Sequence, residues 1–151
     1  MAVDVQTEIE IDRRRGEVAA YASDPDNATE WYENIEAVEW KSPRPVAVGA
    51  KIEFAARFLG RRLAYTYEVK AIAPGERLVM ATAEGPFPME TTYSWHDTPN
   101  GGTRMVLRNR GEPSGLPKLA APLTRMAMRR ANNRDLSRLK GLLESRADAA
   151  A

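Results

Sequence analysis

A serine, a histidine and an aspartate fall close together in "YSWHDT", as Ser94, His96 and Asp97, and His96 is the only histidine in the chain. Nucleophilic catalysis needs such a set, with the base within hydrogen-bond reach of the hydroxyl. Here the spacing argues against it. The stretch alternates as a strand, and side chains two apart on a strand stand ~7 Å apart. They also share its polar face, which points to solvent. With no cysteine and one histidine, a transition-metal site would rest on carboxylates almost alone, so no metal and no cofactor is expected. Gly101-Gly102 lacks the following helix that a phosphate loop requires. Asn27-Ala28-Thr29 fits a glycosylation sequon without a secretion signal. "RNRGEPSG" sets Glu112 just past Arg108 and Arg110. A carboxylate there can act as an acid at a cavity mouth, or pair with an arginine or cap a helix where a strand gives way to one. The junction role is the expected one.

A second group has chemistry to offer collectively. Phe54, Phe58, Tyr65, Tyr67, Met80, Met89, Tyr93, Trp95 and Met105 fall on the apolar parity of successive strand-like stretches, and Trp40 joins them. Any one of them would serve as ordinary core. Together they place three tyrosines and three methionines where Leu, Ile and Val usually dominate. A buried tyrosine hydroxyl needs a partner, and methionine adapts to irregular space. Asn109 shares the parity of Met105 and Leu107, and Asn132 lies with Met128 on a helical stripe. Sparse polar groups in an apolar chamber are how small-molecule sites orient a ligand. No strong inward-facing base is expected among them.

The elements that must position these residues follow from periodicity. Val3, Val5, Thr7, Ile9 and Ile11 alternate with Asp4, Gln6, Glu8 and Glu10, which reads as a half-buried strand. "RRRGEVAAYASDPDNATEWYENI" predicts two short helices, broken at Asp24-Pro25, with Asp26 or Asn27 capping the second. Six strands follow, linked by turn signals at Gly60-Arg61, Pro74-Gly75 and Asn100-Gly101-Gly102. The last third is helical, with a fresh start near Pro122, where a missing N–H costs least. Its stripe is Met128, Asn132, Leu136, Leu139 and Leu143. Leu116, Leu119 and Leu123 lie on nearly the opposite face and lack an obvious buried partner, so homodimer contacts, if any, are expected through residues 116–127.

At 151 residues the chain suits one domain, 1–151, with 43% apolar and 28% charged residues, ordinary values for a globular protein. No apolar run approaches the ~20 residues of a membrane span, and "MAVDVQTEIEID" has no signal-peptide core, so a cytoplasmic location is expected. The net charge of +1 hides an asymmetry: residues 1–40 hold eleven acids and three arginines, whereas residues from 104 onward hold eleven bases and four acids. Either the two ends face each other or the basic end meets an anionic partner. Nucleic acid is not that partner on composition, because no arginines interleave with stacking aromatics.

The order is strand, two short helices, six antiparallel strands and one long C-terminal helix, an α+β arrangement. A sheet with one apolar face needs a cover, and only the last helix is long enough. "IEID" before the first helix, "ASDPDNATEWYENI" across the helix pair and "AVGAKIEF" entering the third strand resemble the pattern of the START-like (SRPBCC) superfamily, in its polyketide cyclase/dehydrase branch. The resemblance implies a helix-grip fold, a curved seven-stranded sheet around the C-terminal helix. "RRR" stands where many members have Ala-Pro, so the start of the first helix departs from the pattern. That family has no common catalytic residue, and the resemblance implies a cavity for an apolar or aromatic ligand rather than a reaction.

Three readings follow. The first is a module binding a small hydrophobic or aromatic molecule, lipid- or polyketide-like, through Trp40, Phe54, Phe58, Tyr65, Tyr67, Met80, Met89, Tyr93, Trp95, Met105, Asn109, Met128 and Asn132. The second is an aromatase/cyclase-type enzyme in which tyrosine hydroxyls and an amide position a chain and assist proton transfer. The third is an interaction module using the basic C-terminal helix. The lack of a strong inward base favours the first over the second.

Overall fold

The computed structural model describes residues 3–58, 60–84, 88–111 and 121–150. The chain begins with β1 (Val3–Ile11), followed by α1 (Arg15–Ser23), a 3-10 turn (Pro25–Asn27) and α2 (Ala28–Trp31). Six strands come next: β2 (Ile35–Trp40), β3 (Lys51–Phe58), β4 (Arg61–Ala73), β5 (Arg77–Glu84), β6 (Met89–Asp97) and β7 (Thr103–Gly111). Helix α3 (Ala121–Ala150) completes the fold. All neighbours pair antiparallel in the order β1-β7-β6-β5-β4-β3-β2. The seven-stranded sheet and its long helix are as the alternation and the resemblance imply.

Register explains why the apolar residues meet. β1 pairs with β7 so that Val5 faces Asn109, Thr7 faces Leu107 and Ile9 faces Met105. The same parity carries through β6, where Thr91, Tyr93 and Trp95 oppose Asn109, Leu107 and Met105. Register shifts at Thr66/Tyr67 and Val69/Ala71 in β4, and at Ile35/Ala37 in β2, add local twist and bend. A bent sheet can wrap a helix instead of lying flat beneath it. The β6–β7 turn shows why glycine is needed there. Gly101 has φ +84°, and a Cβ on Gly102 would sit 2.8 Å from the Ile11 carbonyl oxygen.

Leu136, Leu139 and Leu143 of α3 are fully buried, joined in one core with Ile11, Val18, Trp31, Ile52, Leu78, Trp95 and Met105. Two of the three arginines after β1 lock this end. Arg13 donates to the Leu143 and Glu144 carbonyls, and Arg15 reaches the Gly75 carbonyl at 3.0 Å and Asp97 at 3.2 Å. The expected cap differs. Asp24 accepts from the Asp26 amide at 3.0 Å, while the Asn27 side chain donates back to the Tyr21 carbonyl and Asp26 is drawn to Trp40 and Arg44. A carboxylate with an indole N–H and a guanidinium in reach forms charge-assisted bonds that outcompete a neutral cap.

The charge asymmetry also resolves in the sheet. Acidic β1 lies beside basic β7, with Asp4–Arg108 at 2.7 Å and Glu8–Arg104 at 2.8 Å, and Arg110 reaches Glu90 on β6 at 3.3 Å. The two arginines of "RNRG" therefore find partners across the sheet. Glu112, Leu116 and Leu119 lie outside the described residues.

Candidate functional site

The sheet bends away from the N-terminal half of α3 and leaves a cavity of about 170 Å³. Its floor comes from five strands: Phe54 and Ala56 on β3, Tyr65 and Tyr67 on β4, Met80 on β5, Thr91 and Tyr93 on β6, and Asn109 on β7. Met128, Ala131, Asn132 and Asp135 of α3 form the roof. Tyr32, Asn34 and Ile35, in and beside the link from α2 to β2, close one side, and Arg57 lies at the rim. Arg57 is held by Glu36. The aromatic floor is interlocked, with Phe54 edge-on to Tyr67 at 5.7 Å and Tyr65 tilted against Tyr67 at 6.2 Å.

Several polar groups in the chamber bond to one another. The Tyr32 and Tyr93 hydroxyls bond at 2.5 Å, and Thr91 Oγ1 donates to Asn109 Oδ1 at 2.7 Å. Burial raises the Tyr32 and Tyr93 hydroxyls far above their usual range, and pushes Tyr67 up to about 12. All three are neutral donors at any ordinary pH. Two groups on α3 are different. Asn132 is 6% exposed and its Nδ2 has no partner among the described residues. Asp135 is 3% exposed, and one carboxylate oxygen accepts from the Glu33 amide at 3.0 Å. Loss of solvation lifts this carboxyl to about 6, against the opposing pull of that amide and of Arg134.

Asp135 corrects the expectation that no inward-facing base exists. The signal for it was present: 128, 131, 132, 135, 136, 139 and 143 follow the three-and-four spacing of one helical face. The stripe Met128, Asn132, Leu136, Leu139 and Leu143 leaves out a carboxylate on the same face. Tyr32 and Thr91 also line the chamber beyond the expected set.

Among the sequence-selected residues, Phe54, Tyr65, Tyr67, Met80, Tyr93, Asn109, Met128 and Asn132 converge on this cavity. Trp95 and Met105 oppose each other nearer the Leu139 end and belong to the packed core. Met89 packs with Val3, Val5 and Met128. The side chain of Phe58 lies outside the described part of the structure. Trp40 pairs with Ile52, on the cavity face but at the other end of the strand. Alternation specifies which face a side chain takes, not how far along the strand the cavity lies.

Trp40 instead borders an exterior groove of about 680 Å³ between α1, the 3-10 turn, the loop after β2 and the β4–β5 turn. The groove is larger, but its named polar contacts are already made. Trp40 Nε1 reaches Asp26 at 2.8 Å, and Arg44 stacks on the Trp40 ring while binding the same carboxylate. The smaller chamber is the better candidate because it holds the Asn132 amide, whereas the other unanswered buried donors, the Trp31 and Trp95 indole N–H groups, lie in the packed core. Ser94 and His96 stand on the outer sheet face, His96 exposed, and Asp97 is taken by Arg15. Among the described residues no group of three or more His, Cys, Asp or Glu could hold a metal, and no helix is long and apolar enough to cross a membrane.

Comparison with known proteins agrees with this architecture. Zhui aromatase/cyclase from Streptomyces sp. R1128 superposes with a TM-score of 0.82 at 15% identity, covering 100% of this chain and 99% of that one. A START superfamily protein from Mycobacterium smegmatis gives 0.81 at 14% identity, covering 94% and 97%. TTHA0849 from Thermus thermophilus gives 0.79 at 20% identity, covering 91% and 94%. At such identities the likeness is one of fold. No curated protein matches the sequence. The family model described as polyketide cyclase / dehydrase and lipid transport matches residues 2–144. With nearly the whole chain matched and the helix-grip architecture in place, the protein belongs to the polyketide cyclase / dehydrase and lipid transport family.

Proposed function

We propose that the protein binds a small hydrophobic or aromatic molecule in the chamber between the sheet and α3. The observation that carries this is the Asn132 amide, buried under an aromatic floor with no partner for its N–H among the described residues. An unsatisfied buried donor costs roughly 1–3 kcal/mol. An apolar residue at that position would avoid this cost. Concave, mostly apolar surfaces with few converging polar groups are the usual form of a ligand site. The family description, which joins cyclisation with lipid transport, supports the same reading.

Substituting Ala56→Trp fills the chamber from β3, so displacement of an environment-sensitive apolar dye, compared between wild type and this variant, tests the proposal. The variant is expected to stay folded and lose the dye signal. Equal signals would place the dye elsewhere and count against the chamber.

Asp135 supports a second reading, an aromatase/cyclase-type enzyme. A carboxyl titrating near 6 inside an apolar site is suited to proton transfer at neutral pH. The Zhui protein, an aromatase/cyclase, shares the fold. Under this reading Asp135→Asn abolishes turnover while a bound ligand is retained. Turnover that survives Asp135→Asn would count against a proton-transfer role for this carboxyl.

A further inference from the structure

We infer that the chamber's ligand is a compact, uncharged one-ring compound bearing a hydroxyl, held between the Asn132 amide and the Asp135 carboxylate. This rests on the ligand-chamber reading above and narrows it.

Size sets the first limit. The half-open chamber's volume of about 170 Å³ compares with an engineered cavity of about 150 Å³ that takes benzene. One ring with a short substituent fits. A fused-ring skeleton or a long acyl chain would leave most of its surface outside.

Polarity sets the second. The Tyr32–Tyr93 and Thr91–Asn109 pairs spend part of the floor's hydrogen-bonding capacity within the protein, leaving one tyrosine hydroxyl hydrogen and the Asn109 amide N–H groups over, and Arg57 is paired with Glu36. Asn132 keeps a donor unanswered, and Asp135 keeps an acceptor, since the Glu33 amide takes only one of its oxygens. The two residues are three apart on α3, so their Cβ atoms stand roughly 5–6 Å apart on one face. A single hydroxyl oxygen accepts at about 2.9 Å and donates at about 2.7 Å, so one such group can reach two side chains on the same helical face. A hydroxyl is a donor and an acceptor at once, which is what the pair requires.

Charge sets the third. An anionic ligand would sit against Asp135, and the nearest arginines on α3 are already engaged. Arg134 is paired with Glu33 at 2.9 Å, and Arg138 donates to the Glu30 carbonyl. An ammonium carries donors only and would leave the Asn132 N–H unanswered. A neutral phenol or enol satisfies both groups.

The test is a calorimetric titration with 4-ethylphenol, 4-ethylanisole and ethylbenzene, which share one ring and differ in what the oxygen can do. Wild type is expected to bind the phenol about fivefold to tenfold tighter than the ether, from one charge-assisted hydrogen bond, and the ether about fivefold tighter than the hydrocarbon. In Asn132→Leu the ether's advantage over ethylbenzene should vanish. Equal affinities of the three for wild type would overturn the inference yet keep the chamber, and this comparison needs no variant to fold. So would an undiminished ether preference in Asn132→Leu. If none of the three binds wild type, and Ala56→Trp behaves identically, the chamber reading itself is refuted along with the inference.

Discussion

Asn132 and Asp135 sit one turn apart on α3, buried to 6% and 3% exposure, and each is costly to the empty protein in its own way. The Asn132 N–H is desolvated without a partner among the described residues. Asn132→Leu should therefore raise the stability of the ligand-free protein by about 1 kcal/mol, read by urea unfolding. A loss of stability would mean the amide is satisfied in solution. Asp135 is held at about 6 against an ordinary value of 3.8. A raised carboxyl favours the folded state while protonated and opposes it once ionised. Its penalty is thus absent below pH ~4, grows through the interval up to ~6 and is complete above it. Asp135→Asn keeps an oxygen for the Glu33 amide. It should stabilise the protein by roughly 2–3 kcal/mol at pH 8 and hardly at all at pH 4, since each tenfold change in proton affinity is worth about 1.4 kcal/mol. A gain independent of pH would contradict the assignment. Asn132 was legible in the sequence because it interrupts an apolar stripe. Asp135 was not, because a charged residue beside such a stripe ordinarily faces water. Its burial comes from the tertiary fold, which brings the Glu33 amide, just after α2, onto its carboxylate.

At the scale of elements, α3 divides by function. Its C-terminal half inserts Leu136, Leu139 and Leu143 into the core, all at 0–1% exposure. Its N-terminal half roofs the chamber with Met128, Ala131, Asn132 and Asp135. Leu139→Ala should cost about 2–5 kcal/mol, the range for deleting a fully buried leucine, measured as a fall in the urea midpoint. A cost below about 1 kcal/mol would show that the helix is not anchored there. Strands, turns and helix stripe were readable because period-two and three-and-four spacing report faces directly. The chamber's position was not. Trp40, Trp95 and Met105 have the inward parity, yet they lie toward the end where α1 and the C-terminal half of α3 pack down. Where a sheet lifts from its helix depends on bulges such as those at Thr66/Tyr67 and Val69/Ala71. No local pattern in "RLAYTYEVKAI" marks them.

The molecule as a whole joins a tightly packed end to a half-open one. Arg13 and Arg15, Leu136 to Leu143 and the Trp31 cluster close the first, while β3, β4 and the start of α3 hold the second apart. The outer face contributes a ladder of exposed ion pairs between β1, β7 and β6. Each is worth at most about 1 kcal/mol, so the ladder keeps the outer face hydrated more than it holds the sheet together. Function then rests on the half-open end accepting a ligand. Methionine methyl resonances report on this directly, because Met80 and Met128 line the chamber while Met105 is sealed in the core and Met126 is exposed. The decisive measurement is a titration of methyl-labelled protein with 4-ethylphenol. Saturable shifts at Met80 and Met128, with Met105 and Met126 unmoved and all shifts lost in Ala56→Trp, are expected. Shifts confined to Met126, or a response that Ala56→Trp leaves intact, would contradict a ligand chamber between the sheet and α3.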